Sequence, residues 1–233
     1  MTTRIPLVLL PGLLNDAALW AHQAETLGDV ADIVIPDLNR FDNIAVAART
    51  VLSEVPETFA LAGLSMGGYL AQEIMRQAPD RILKLALLDT SSHADTPEQM
   101  TRRRALIDLT RQGDFKGVTR RLLPMLIHPD HVKDETIAET VMTMAEKTGR
   151  DAFIRQQTLI MTRPDSTRDL GAIHCPSVVI CGRQDTLTPV AFHEEMANGM
   201  ANAKLVVIEG SGHLTPIEQP YAVSAIFRYW LAD

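Results

Sequence analysis

A serine at position 65 stands in the sequence Gly63-Leu64-Ser65-Met66-Gly67, between an apolar run and a segment of helical periodicity. This context of strand, sharp turn and helix exposes the serine hydroxyl as a nucleophile. Side chains at Gly63 and Gly67 would collide where the strand end approaches the helix start, so the turn requires glycine at both positions. The amides that open the helix can donate to an oxyanion, and we expect the Met66 N–H to do so. The segment therefore predicts acyl-transfer chemistry.

A serine hydroxyl needs a base to activate it and an acid to orient that base. In sheets that carry this turn, the serine, the acid and the histidine follow one another along the chain, on loops at the strand carboxyl ends. Of the seven histidines, only His213 follows the last predicted strand. Asp185 follows the strand before it, and its carboxylate would fix the tautomer of His213. Asp89, at the end of another predicted strand, is the alternative acid, or else a helix or loop cap.

The oxyanion needs a second donor, and the loop after the first predicted strand usually supplies it. That loop, residues 11–14 and called the oxyanion loop below, contains Gly12. The glycine lets the backbone turn inward, so we expect the Leu13 N–H to be the donor. Losing one such donor typically costs about 2.7–4 kcal/mol of transition-state stabilisation. Leu14 in the same loop, His93 just after a strand end, and Met125 in a methionine-rich region are predicted to contact substrate.

The overall composition excludes several classes of partner. The formal net charge of -7 argues against binding to nucleic acid or to an anionic membrane surface, since both require a concentrated basic face. No segment has the length of a membrane span or the pattern of a signal peptide. No group of His, Cys and Asp has the spacing of a closed zinc site. We expect a small-molecule partner, and the chain to be a monomer or a homodimer.

The two cysteines bear on the cellular compartment. Cys175 and Cys181 are expected on or beside one strand, about 20 Å apart if that segment is extended. This separation is too long for a disulfide bond. A reducing, cytoplasmic location is therefore expected.

Hydrophobic patterning predicts an α/β fold, with a mostly parallel sheet flanked by helices. The predicted strands are short apolar runs, at residues 7–10, 32–35, 58–62, 82–88, 177–181 and 204–208. The predicted helices have apolar residues at helical spacing, and lie at 17–27, 44–54, 66–78, 189–199 and 216–231.

The alternation of strands and helices stops between Asp89 and Pro176, where helix follows helix. Thr96 and Gln99 predict a capping box, with Pro97 as the first helical residue. Gly113-Asp114 should end that helix and start another, and a further helix is expected between 149 and 164. We therefore expect a core domain of residues 1–89 and 171–233, and a helical cap of residues 90–170 inserted after the strand that ends near Leu88.

Three segments together resemble the α/β-hydrolase superfamily, and the resemblance covers nearly the whole chain except the cap. They are the turn around Ser65, the sequence Gly182-Arg183-Gln184-Asp185, and the sequence Gly212-His213 followed by Glu218-Gln219-Pro220. Within the superfamily the chain is similar to compact, cap-bearing carboxylesterases and enol-lactonases. The resemblance implies a serine hydrolase without a cofactor that cleaves an ester, a lactone or a related carbonyl compound.

Two segments depart from the superfamily pattern, and both concern the rim of the pocket. Where the superfamily usually has His-Gly at the oxyanion loop, this chain has Pro11-Gly12. Trp20 keeps the spacing of the aromatic residue that commonly follows, and it is a further candidate for substrate contact. The loop after the second predicted strand is shortened to residues 36–40.

Two other functions are compatible with the same three residues. One is a lyase or carbon–carbon bond hydrolase similar to the menaquinone-pathway synthase of this superfamily. Arg102, Arg103 or Arg155 would then bind a carboxylated substrate. The other is a ligand receptor without enzymatic activity.

Overall fold

A six-stranded, wholly parallel β-sheet forms the centre of the computed structural model, which describes residues 4–113 and 115–232. The strand order is β2-β1-β3-β4-β5-β6. The strands are β1 (Ile5–Leu10), β2 (Ala31–Val34), β3 (Phe59–Leu64), β4 (Ile82–Leu88), β5 (Ser177–Gly182) and β6 (Ala203–Ile208). This confirms the predicted α/β class, and the described sheet is more uniform than predicted because every strand pair is parallel.

Helices cover both faces of the sheet. They are α1 (Ala21–Thr26), α2 (Ile44–Glu54), α3 (Met66–Gln77), α4 (Pro97–Gln112), α5 (Glu135–Met161), α6 (Val190–Gly199), α7 (Thr215–Glu218) and α8 (Pro220–Ala232). Alternate residues of β1 face opposite layers: Val8 and Leu10 pack with residues of α2, α3 and α6. Leu7 and Leu9 pack with Trp20, which directly precedes α1, and with residues of α8. Burial on both faces explains why the central strands are apolar throughout.

Two helices differ from the sequence-based prediction. The predicted helix at 17–27 is a 3₁₀ turn, Ala17–Trp20, capped by Asp16 and followed by the short α1. The predicted helix at 216–231 is broken at Gln219, which has φ -133° and ψ 58°. The ring of Pro220 disfavours the helical conformation at the residue before it, which explains why the helix breaks at this point.

The segment between β4 and β5 is partly helical, as predicted. The Thr96–Gln99 capping box opens α4, with Pro97 as its first residue. Asp114, the predicted start of the next helix, lies outside the described residues. The chain from 115 to 134 forms only two short 3₁₀ turns, so the expectation of continuous helices is wrong there. His128-Pro129 lies within this irregular stretch.

Helix α5 is interrupted at Gly149, where φ is 77° and ψ is 175°. This backbone conformation is essentially restricted to glycine, and it separates the two halves of the helix. No helix in the described ranges is both long and apolar enough to cross a membrane.

The interruption gives a test of the fold. We expect Gly149→Ala to lower the free energy of unfolding by about 1–3 kcal/mol, because the added Cβ meets no atom within 4 Å and the penalty comes from the backbone alone. Gly28→Ala is the control, since its Cβ would meet only Ala24 O at 3.8 Å. Urea denaturation of both variants measures the difference, and equal stability of Gly149→Ala and the wild type would contradict the described backbone.

Candidate active site

Ser65 occupies the turn between β3 and α3, with φ 52° and ψ -112°. A positive φ is costly for a residue with a side chain, so the turn must be held by its surroundings. The Ser65 N–H donates to Leu88 O at 3.0 Å, and the Ser65 carbonyl accepts from Gly68 N–H and from the Thr90 hydroxyl. The end of β4 therefore fixes the backbone that presents the Ser65 hydroxyl.

Three glycines allow the turn to form. A Cβ at Gly63 would lie 2.3 Å from Gly67 O, which is the predicted collision between strand end and helix start. A Cβ at Gly67 would instead meet Leu10 O at 2.2 Å, so this glycine admits the end of β1. Gly68, to which the sequence analysis gave no role, is packed against Thr90, whose Oγ1 would lie 2.5 Å from an added Cβ.

His213 joins Ser65 to Asp185 in one hydrogen-bonded line. Its Nε2 lies 2.9 Å from Ser65 Oγ, and its Nδ1 lies 2.7 Å from Asp185 Oδ2. All three residues come from loops at the carboxyl edge of the sheet, as their order along the chain predicts. Proton transfer from the serine to the imidazole is geometrically possible, and the carboxylate can hold the resulting charge.

The turn after β5 presents Asp185 to the imidazole. The N–H groups of Leu187 and Thr188 donate to Asp185 Oδ1, and the Thr188 hydroxyl donates to Oδ2 at 2.5 Å. Burial raises the pKa of Asp185, but the charge and hydrogen bond of His213 and the Thr188 hydrogen bonds outweigh it, so the pKa lies below its usual value of 3.8. Thr188 was not among the predicted residues, although Asp185 is a residue type that favours this kind of turn, in which its side chain accepts from the backbone two residues on.

The pKa of His213 has two opposing causes. Burial of the imidazole lowers it, whereas the charge and hydrogen bond of Asp185 raise it, with smaller contributions from the charges of Asp89 and Glu218. The sum raises the pKa above 6.5. Charge on the ring is therefore stabilised, which suits a base that must carry a proton during a reaction.

Asp89, the alternative acid, forms its hydrogen bonds with groups other than the imidazole. Its Oδ1 accepts from Gly182 N–H at 2.9 Å, and its Oδ2 accepts from the Thr215 hydroxyl at 2.5 Å. It thus ties the ends of β4 and β5 to the chain that follows His213. Burial and the charge of Asp185 raise the pKa of Asp89 well above its usual value. The imidazole is hydrogen-bonded to Asp185 and not to Asp89.

The oxyanion loop, which follows β1, lies against the turn that carries Ser65. A Cβ at Gly12 would lie 3.0 Å from a Leu64 methyl group, and Gly67 contacts the carbonyl of Leu10. The Met66 N–H opens α3 and has no acceptor within the helix. Leu13 N–H makes no hydrogen bond with the described residues, whereas its neighbour Leu14 donates to Gln156 Oε1. The two N–H groups predicted for the oxyanion therefore remain available.

A family model described as the alpha/beta hydrolase family matches residues 7–226, nearly the whole chain. The chain belongs to the alpha/beta hydrolase family. Among solved structures, this hydrolase is similar to a thermophilic esterase from Thermogutta terrifontis, with 29% identity and a TM-score of 0.92. That similarity covers 100% of this chain and 91% of the esterase.

Two further relatives agree with this assignment. The enol-lactonase from Burkholderia xenovorans has the same fold, with a TM-score of 0.87 and 21% identity, and the match covers 99% of this chain and 92% of the enol-lactonase. A pimeloyl-[acyl-carrier protein] methyl ester esterase from Neisseria meningitidis is 26% identical over 220 residues, which are 91% of this chain and 82% of the relative.

The four residues predicted to contact substrate have different environments. Leu14 is buried in an apolar cluster with Ala145 and Phe153 of α5. Met125 is exposed, one residue before Leu126, whose carbonyl accepts from His213 N–H at 2.9 Å. For Leu14 and Met125, contact with substrate stays a prediction.

The other two residues lie elsewhere. Trp20 is completely buried and stacks on Phe227 in the core, so the expectation that it contacts substrate is wrong. His93 Nε2 forms a hydrogen bond with Glu195 Oε2 at 2.7 Å, and the ring packs on Phe192. The structure thus places His93 in a half-exposed cluster beside α6 and not against the serine, histidine and aspartate line.

Glu218 organises the loop that carries His213. Its Oε1 accepts from the N–H groups of Gly212 and Leu214, on either side of the histidine. Its Oε2 accepts from His128 N–H and lies 2.9 Å from His131 Nδ1. Glu218 was singled out from the sequence only as part of the resemblance, and its contacts with residues 128 and 131 have no signal in the sequence.

The cations considered for a carboxylated substrate have other partners. Arg103 pairs with Asp95 and donates to Gln157, and Arg155 donates to Asn39 O. Arg102 lies on the exposed face of α4. Across residues 4–113 and 115–232, no three His, Cys, Asp or Glu side chains group as metal ligands.

The pKa of His213 can be measured directly. In the wild type we expect its imidazole to titrate above pH 6.5, and in Asp185→Asn below the wild-type value, because burial then acts without the opposing carboxylate charge. NMR titration of histidine-labelled protein follows the imidazoles of His213 and His193 in one experiment. His193 serves as a reference for an imidazole that is buried without a paired carboxylate, since burial lowers its pKa to about 4 although the charge of Asp185 raises it. An unchanged His213 pKa in Asp185→Asn would contradict the described pairing.

Proposed function

We propose that this chain is a serine hydrolase that cleaves a carboxylic ester, or a related lactone or thioester, through an acyl-enzyme on Ser65. The observation that carries the proposal is the line from Ser65 Oγ through His213 to Asp185, with distances of 2.9 and 2.7 Å. Relatives named as esterases support the ester class.

In the first half of the reaction, His213 Nε2 takes the proton of the Ser65 hydroxyl as the oxygen attacks the substrate carbonyl carbon. The carbonyl oxygen becomes an oxyanion, which the N–H groups of Met66 and Leu13 stabilise. Asp185 holds the imidazolium. His213 then gives its proton to the departing alcohol, and the acyl group remains on Ser65.

In the second half, water replaces the alcohol. His213 takes a proton from the water as its oxygen attacks the acyl carbon, and the same two N–H groups stabilise the second oxyanion. The proton returns to Ser65 Oγ when the carbon–oxygen bond to the enzyme breaks. The products are one carboxylic acid and one alcohol, and the enzyme is restored.

An apolar cluster beside the oxyanion loop supports a substrate with a small to medium apolar group. It combines Leu14 with residues from the segment between β4 and β5, which are Phe115, Val118, Ala145 and Phe153, and it also contacts Leu13. On this basis we propose residues 90–170 as a cap over a core of residues 1–89 and 171–233. Different cap side chains would then select different substrates on the same reaction centre.

The free state of Cys175 and Cys181 supports the proposal of a reducing compartment, the cytoplasm.

Covalent labelling tests the nucleophile. We expect a fluorophosphonate to add one phosphonyl group to the wild-type protein, detected by intact mass, and to leave Ser65→Ala unmodified. Ser211→Ala is a matched control, because this buried serine lies two residues from His213 but is bonded to Glu218. An adduct that persists in Ser65→Ala, or no adduct on the wild type, would overturn the assignment.

Isotope incorporation separates hydrolysis from the lyase alternative. In water enriched in ¹⁸O, an acyl-enzyme pathway places one solvent oxygen in each carboxylic acid product, which mass spectrometry of the product detects. A lyase product contains no solvent oxygen. The receptor alternative predicts that turnover of simple aryl esters is slower than dissociation of a bound ligand, which a pre-steady-state measurement with the same esters decides.

The role of Asp185 is tested by kinetics on an aryl ester. We expect Asp185→Asn to lower kcat by about 10³–10⁴-fold near neutral pH, because the amide favours the wrong tautomer of His213. Asp89→Asn is the comparison, and we expect it to retain most of the activity since Asp89 bonds Gly182 and Thr215 instead of the imidazole. The reverse order of effects would assign the acid role to Asp89.

A further inference from the structure

We propose that Gln156, on α5, is a positioning residue that holds the oxyanion loop in its active conformation. The inference rests on the proposed function, because it concerns how the Leu13 N–H reaches the oxyanion. It adds a residue that lies 142 positions from its partner Leu14 and that has no motif in the sequence.

Leu14 has a backbone conformation that needs external support. Its φ is 60°, in the left-handed region, which residues with a side chain rarely adopt. Such conformations cost about 1–3 kcal/mol and persist where surrounding contacts hold them. The peptide unit that carries the Leu14 N–H is joined through Leu13 Cα to the peptide unit that carries the Leu13 N–H, so we infer that a rearrangement at Leu14 shifts both.

The side chain of Gln156 supplies that support. Its Oε1 accepts from the Leu14 N–H at 2.9 Å, and the residue is completely buried. A backbone N–H can only donate, so the amide oxygen of Gln156 must face Leu14 and its NH₂ must face elsewhere. That NH₂ donates to Asn39 Oδ1 at 3.0 Å. Both ends of the Gln156 amide are therefore satisfied, which fixes its orientation.

Asn39 is itself held. Its carbonyl accepts from Arg155 Nε at 2.7 Å, and its N–H donates to Asp37 Oδ1. The shortened loop after β2 thus forms a fixed support between α5 and the oxyanion loop. Two successive residues of α5, Arg155 and Gln156, contact this support.

The arrangement couples the position of α5 to the reaction. If the bond from Leu14 N–H to Gln156 is lost, Leu14 can relax from positive φ and the Leu13 N–H turns from the oxyanion. The oxyanion exists only along the reaction path, so this loss lowers kcat and leaves KM nearly unchanged. Complete loss of one donor costs about 10²–10³-fold, and a misoriented donor should cost less.

The test compares two adjacent buried glutamines. Gln156→Met removes the acceptor with little change in volume, and Gln157→Met is the matched control. Gln157 is also buried on α5, and its Oε1 accepts from Arg103 at 2.8 Å. We expect Gln156→Met to lower kcat on an aryl ester about 10–100-fold with KM changed less than about 3-fold, and Gln157→Met to leave both nearly unchanged.

Two further measurements keep the test decisive. An aryl trifluoromethyl ketone forms an oxyanion on the serine, so its Ki should rise in Gln156→Met by the factor by which kcat/KM falls. Asn39→Ala frees the Gln156 amide without altering α5, and is expected to give a smaller loss of kcat. Because Asn39 is half-buried, we expect this variant to fold even if Gln156→Met does not, so it still tests the proposal.

Hydrogen exchange of the segment 12–15 reports on the loop independently of activity. The inference predicts faster exchange at Leu14 in Gln156→Met than in the wild type and in Gln157→Met. Equal kcat losses in the two glutamine variants, or unchanged exchange at Leu14, would overturn it. If the wild type neither hydrolyses esters nor forms an adduct, the proposed function fails, and the exchange data alone decide whether Gln156 holds the loop.

Discussion

The buried pair of Asp185 and His213 is the interaction on which the site depends. Each group would be destabilised by burial alone, and removing one partner from such a pair typically costs about 3–5 kcal/mol because the other charge stays uncompensated. The donors around Asp185, from Leu187 and Thr188, make the carboxylate tolerable at this depth. The raised pKa of His213 follows from the same contact. One interaction thus supports both the local structure and the basicity that acyl transfer requires.

The pair forms only because distant loops approach one another very closely. A Cβ at Gly182 would lie 2.0 Å from Gly212 O, so the backbone at the end of β5 packs directly against the backbone of the loop that carries His213. The segment between β4 and β5 contacts the core at two places. Gln156 accepts a hydrogen bond from the Leu14 N–H of the oxyanion loop. Residues 126–131 contact the loop that carries His213, both directly and through Glu218. We infer that this segment helps to hold the two loops in place.

The features that could be predicted from the sequence are those whose physical constraint is local or follows from the order of elements. The α/β class, the strand ends and the three residues that the structure brings together all follow from apolar runs, glycine spacing and the sequence of strands. The break at Gln219 was missed although Pro220 encodes it locally. The contacts of Gln156 with Leu14, and of Glu218 with residues 128 and 131, could not be predicted, because their partners are 142 and about 90 residues apart and no local pattern specifies which polar groups meet. Trp20 was assigned to substrate from spacing alone, which does not distinguish a pocket wall from the core.

The most direct test of the account is a crystal structure of the protein after reaction with an alkyl fluorophosphonate. We predict a bond from Ser65 Oγ to phosphorus, with the phosphoryl oxygen about 3 Å from the N–H groups of both Met66 and Leu13, and His213 still bonded to Asp185. A phosphoryl oxygen directed away from these two N–H groups, or an imidazole separated from Asp185, would contradict the central claim.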